Sequence, residues 1–138
     1  METRADASLK DARWKLVWIA TLALGVFMVF FRIGSDSLWY DESYSAAAAR
    51  HPVAEMVPII AADSHPPLYY LLLRAITLVA GDSEAAVRSL SAIGVLALAG
   101  LGFFPLRKLW GNRGGLFFSF AILATPMAIA AGREARMY

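Results

Sequence analysis

Cysteine is absent from the 138 residues, which excludes disulfide bridges, thiolate metal sites and thiol catalysis and leaves the redox compartment open. Also missing are a glycine-rich phosphate loop, a Gly-x-Ser-x-Gly elbow and a paired-histidine zinc motif, so nucleotide-driven transport and serine or zinc hydrolysis find no support. Charge is sparse and balanced: 13 Lys and Arg lie scattered among 11 Asp and Glu, for a formal net charge of +2. No basic stripe forms, and nucleic acid is not an expected partner.

What the chain has instead is hydrocarbon. Hydrophobic residues make up 59% of it and its mean hydropathy is +0.55, above the ~45–50% apolar content of soluble domains. A bilayer core ~30 Å thick takes about 20 helical residues per crossing, and three apolar runs approach that length: 16–33, 87–106 and 116–131. The first follows Arg4, Lys10, Arg13 and Lys15 with no small-x-small cleavage site after it, so it reads as an uncleaved signal anchor whose amino terminus is cytoplasmic.

A polar outer loop, 34–86, separates the first two runs. Within it 41–50 reads as a short helix, because Ala46 to Ala49 favour helix and Pro52 ends it; a second covers Val53–Ala62. Pro67–Ala80 is apolar but too short to cross and carries Arg74 at its middle, so it is expected to lie along the membrane surface. That choice puts Arg107, Lys108 and Arg113, the most basic loop, in the cytoplasm, and it puts the tail from Gly132 on the same outer side as Asp41. The expected fold class is an all-α polytopic membrane protein, with three transmembrane helices and short interfacial helices in the first outer loop, forming a single unit over 1–138.

Carboxylates beside hydrocarbon are unfavourable unless they are used. Asp41 and Glu42, rimmed by Trp39, Tyr40 and Tyr44, are therefore the first functional candidates. Adjacent residues of a helix point about 100° apart, so one of the pair can act while the other supports it; solvated helix caps are the plain alternative. His65, held by Pro66-Pro67, is placed where it could donate to a phosphate, though such a histidine alone is more often a turn residue. Arg133 and Arg136 form a double cation suited to the same task, though single cations at such positions commonly anchor a span in the interface. Arg88, at the start of a span, reads as an anchor of that kind. His51, His65, Asp41 and Glu42 lack metal-ligand spacing, so no metal site is assigned, and a divalent ion stays open.

The order of these pieces is familiar: Leu38-Trp39-Tyr40-Asp41-Glu42-Ser43-Tyr44, then His65-Pro66-Pro67-Leu68-Tyr69-Tyr70, then Val87-Arg88-Ser89-Leu90-Ser91, then Arg133-Glu134-Ala135-Arg136-Met137-Tyr138. It resembles the amino-terminal part of bacterial GT-C glycosyltransferases, the superfamily of protein O-mannosyltransferases and the lipid A aminoarabinose transferase. The resemblance implies a plasma-membrane enzyme that moves a sugar from a polyprenyl-phosphate donor to a protein, lipid or glycan acceptor at the outer face. Asp41 then resembles the catalytic base, and Glu42 the second acid, orienting the acceptor or a metal. His65, Arg133 and Arg136 resemble the groups near the donor phosphate. Members of the family are much longer, so a truncated or split product is expected. A non-catalytic three-span scaffold and a lipid carrier that grips phosphate without chemistry are the competing readings.

Overall fold

From Arg4 to Phe30 the sequence holds one glycine and no proline, and it forms one continuous helix, α1 (Arg4–Phe30). Relative to the expected 16–33 it begins earlier and ends three residues sooner. The stop is made by Arg32, whose φ of 54° places it in the left-handed conformation that commonly ends helices. The structure, a computed structural model, describes residues 4–62 and 66–136, with side chains described from residue 12 onward.

Prolines divide the loop as the sequence indicates. α2 (Tyr40–Arg50), α3 (Val53–Ala62) and α4 (Pro67–Ala80) are separated at Pro52, which drives His51 into an extended conformation (φ −69°, ψ 148°), and at Pro66, whose ring fixes its own φ at −69°. α5 (Glu84–Gly100) opens on Ser83, whose hydroxyl accepts from the Ala86 N–H at 3.3 Å, an ordinary N-cap. Pro105 lacks an N–H and would crowd the preceding turn. The helix widens there into a π-helical turn, Gly102–Leu106, in which the Leu106 N–H donates to the Leu101 carbonyl at 3.1 Å.

α6 (Arg107–Ala124) contains a reversal at Gly111, where φ is 70° and ψ is −179°. Beyond it the chain runs back along α5: the Ser119 hydroxyl donates to the Ala99 carbonyl at 2.6 Å, and Gly115 packs against the backbone of Gly102 and Arg107. Residues 20 apart in sequence would lie about 30 Å apart on a straight helix, so these contacts establish a hairpin. Two segments, Ala12–Phe30 and Glu84–Ala124, are long and apolar enough to cross a membrane. The second of them is this hairpin.

The expected single helix over 116–131 is instead two. Pro126 forces Thr125 into an extended conformation (φ −81°, ψ 114°), and α7 (Pro126–Gly132) starts afresh. α5 is the central element, touching α1, α4, α6 and α7. Ala92 and Ala99 are fully buried along it, and Val29, Ile33 and Ala92 form one core cluster with Val95, Leu96 and Ile129 packed around them. A second cluster joins Ala46 and Ala49 of α2, Leu73 of α4, Val87 of α5 and Ala135 of the tail. The loop helices are thereby fastened to the end of the bundle where the chain leaves α7.

The hairpin depends on close backbone approach. A Cβ on Gly115 meets the Gly102 carbonyl and the Arg107 backbone, whereas one on Gly100 meets nothing within 4 Å. Gly115→Ala is expected to lower stability by about 1–3 kcal/mol through overpacking, and Gly100→Ala to leave it unchanged or raise it slightly. Thermal unfolding of both variants in the same detergent distinguishes them; equal midpoints would contradict the hairpin contact.

Candidate functional site

Arg88 lies in the second turn of α5 and is buried, as is Glu42 in the first turn of α2. A buried guanidinium needs a partner for every N–H, and Arg88 has one for each of its five. Nε and Nη2 donate to the two carboxylate oxygens of Glu42 at 2.8 and 2.7 Å, a bidentate pair. Nη1 donates to the carbonyls of Ile33 and Asp36 at 2.8 and 2.9 Å, and Nη2 also to that of Ser37 at 3.2 Å. The left-handed turn at Arg32 brings these carbonyls round to it.

Glu42 is equally committed. Oε1 also accepts the Ala135 N–H at 2.9 Å, and Oε2 accepts the Trp39 N–H at 3.3 Å. One carboxylate thus joins the start of α2, the start of α5 and the tail after α7. Burial pushes the Glu42 carboxyl upward, but the hydrogen bonds from Arg88, Ala135 and Trp39, together with the Arg88 charge, outweigh it and hold the group below its ordinary 4.5.

Asp41, one residue earlier, faces outward and is about one-third exposed. Its carboxylate pairs with Arg136 at 3.2 Å, and the Arg136 guanidinium also lies over the Trp39 ring, 5.9 Å from its centroid. The Arg136 carbonyl accepts from Ser91 of α5 at 3.2 Å, and the Ser91 hydroxyl is 3.4 Å from that of Tyr69 in α4. Burial of Tyr69 raises its phenol to about 12, so it stays protonated and is available as a donor.

Two cavities flank this cluster. One, of about 510 Å³, is lined by Asp36, Trp39, Glu42, Arg88, Arg133 and Glu134 among others. The other, about 430 Å³, is an apolar groove between α4, α5 and α7 that ends at Tyr69, Ser91 and Arg136. The structure therefore brings Asp41, Glu42 and Arg136 together, while Arg133 opens onto the neighbouring cavity and not onto the groove with Arg136. His65 lies outside the described residues. Among those residues no three His, Asp or Glu side chains converge as metal ligands.

Arg88 is the residue that sequence reasoning left as a membrane anchor. The signal for its role was present: a cation inside an apolar segment ordinarily has a partner, and Glu42 was an acid not needed as a base. Arg74 is explained in the same way, donating to the carbonyls of Ala49 and Arg50 at 3.1 and 3.2 Å at the end of α2. Comparisons of the chain with protein-family models, curated proteins and solved structures returned no match.

Removing one member of the buried pair strands the other. Arg88→Ala is expected to destabilise by about 3–5 kcal/mol, and Glu42→Gln combined with Arg88→Met by clearly less than the sum of the single changes; additive losses in a double-mutant cycle would refute the coupling. The lowered Glu42 carboxyl fixes the sign with pH: its contribution is complete above about 4.5 and is lost as pH falls through the lower native value. Protection of the Ala135 amide from hydrogen exchange, taken relative to the intrinsic rate at each pH, should fall only in that acid range, and Glu42→Gln should abolish the acid dependence.

Proposed function

We propose that this chain carries the outer-face active centre of a GT-C-like membrane glycosyltransferase using a polyprenyl-phosphate-linked sugar. The observation that carries the reading is the Asp41–Arg136 pair: a partly exposed carboxylate of the first loop and a cation of the tail meet at one end of the bundle, 3.2 Å apart. Alongside them runs an apolar groove suited in character to a hydrocarbon chain, with Arg136 at its end. Such a donor combines the same two chemistries, a phosphate and a long apolar tail.

The topology is part of the proposal. α1 crosses outward, α5 returns, and α6 with α7 crosses outward again, which leaves Arg107, Lys108 and Arg113 cytoplasmic. α4 stays on the outer side. Its first turn reaches Ser91, its middle holds the end of α2 through Arg74, and just past its end Asp82 pairs with Arg50 at 2.5 Å. All of these partners belong to the layer containing Asp41.

In this reading the donor phosphate takes Arg136 from Asp41 and so releases the base at the moment the sugar is in place. Asp41 accepts the proton of an acceptor hydroxyl as that oxygen attacks the anomeric carbon. The bond from that carbon to the phosphate oxygen breaks, and the electron pair leaves with the polyprenyl phosphate, whose charge Arg136 stabilises. Glu42 contributes by position only: locked to Arg88 and Ala135, it holds loop and tail in register. No step here requires a metal.

A scaffold reading draws on the same commitment of Glu42, since a structural lock needs no substrate. Transfer of radiolabelled sugar from polyprenyl phosphate, measured in membranes containing the protein, separates the two. Asp41→Asn is expected to reduce transfer by about 100-fold or more at unchanged abundance, and undiminished transfer would remove Asp41 as the base.

A further inference from the structure

α1 and α6 run side by side in the same direction and touch closely near Gly25, where an added Cβ would fall 2.8 Å from Leu123. From the level of that contact toward Trp14 and Arg113 the two helices leave a groove. One part, about 440 Å³, is lined by Ala20, Leu24, Met28, Phe120 and Leu123 among others; the next, about 430 Å³, by Trp14, Arg113, Leu116 and Phe117 among others. Val17, Thr21 and Phe120 line both, so the two are continuous. From Trp14 to Met28 a helix rises about 21 Å, longer than the roughly 15 Å half-thickness of a bilayer's hydrocarbon.

The groove is chemically polarised along its length. Among the described residues lining it, Arg113 is the single charged one and stands at one end with Trp14, and none is acidic. Arg107 and Lys108 belong to the same turn of the chain. The opposite end is formed only by aliphatic and aromatic side chains. A cation with an aromatic at the mouth and one leaflet's depth of hydrocarbon beyond it complements a single class of molecule, a phospholipid whose headgroup carries net negative charge.

We propose that the α1–α6 groove is a binding site for an anionic phospholipid, with the phosphate held by Arg113 and an acyl chain lying over Val17, Thr21 and Leu24. The site depends on the chain residing in a membrane, but not on Asp41 or on any transfer reaction. Its Arg113 mouth stands at the end of α1 and α6 remote from the Asp41–Arg136 pair, so its phosphate site is not that of the sugar donor. Its occupant holds α1 against α6 at the cytoplasmic surface, where anionic lipid is concentrated in a charged leaflet.

The test is lipid retention. The protein is placed in nanodiscs of equal phosphatidylglycerol and phosphatidylcholine, released into mild detergent, and its bound lipid counted by native mass spectrometry. One cation near the surface favours the anionic lipid by about fivefold, so retained phosphatidylglycerol should exceed phosphatidylcholine by about that factor. Arg113→Gln, an exposed and conservative change, should abolish the preference, and Thr21→Trp, which fills the junction of the two cavities, should abolish retention. Arg50→Gln, an exposed cation that lines neither groove, should leave both unchanged. Equal retention of the two lipids, or an undiminished preference in Arg113→Gln, would overturn the proposal. So would displacement by inorganic phosphate alone, which would mark a simple anion site. Loss of the preference in Arg50→Gln would place the lipid away from Arg113 and would equally refute the site.

Discussion

One buried ion pair decides where everything at the Asp41 end of this molecule sits. Glu42 and Arg88 are 46 residues apart, and between them they bind the turn after α1, the first turn of α2, the second turn of α5 and the tail after α7. Withdrawing both charges from water is unfavourable, and their mutual attraction offsets that only because every N–H of the guanidinium and both oxygens of the carboxylate are satisfied. The result is specificity of arrangement more than stability: a carboxylate with four donors around it tolerates one register of loop against tail. Asp41 and Arg136 each neighbour a member of that lock, and their pairing is its consequence.

This explains how two adjacent acids come to differ. Glu42 points inward and is held by Arg88, Ala135 and Trp39, while Asp41, about 100° around the helix, points outward, is about one-third exposed and pairs with Arg136. Division of an acid pair into a buried, fully bonded member and a partly exposed one follows from helix geometry alone.

Much of the helical outline was legible because proline and glycine punctuate the chain. Pro52 and Pro66-Pro67 set the limits of α3 and α4, and the Ala46 to Ala49 run made α2 a helix. Hydropathy was less informative about breaks within apolar runs: 116–131 is uniformly apolar, yet Pro126 divides it, and the π-helical turn at Pro105 was likewise invisible to an average over 20 residues. The site was half legible. Asp41 and Arg136 stood out as charges at the ends of apolar segments. Arg88 was overlooked because a single arginine at the start of a span has a common explanation as an anchor, and only the folded chain shows the three carbonyls that converge on it.

The account turns on the first loop and the tail sharing one face of the membrane and one site. Because the natural chain has no cysteine, single and paired cysteines can be introduced without a background. With Asp41→Cys and Arg136→Cys in one chain, an impermeant thiol reagent added outside the cell should label both, and a short bifunctional thiol reagent should join them, while Arg113→Cys stays unlabelled from outside. Labelling of the two positions from opposite sides, or failure of the pair to crosslink when both are accessible, would contradict it.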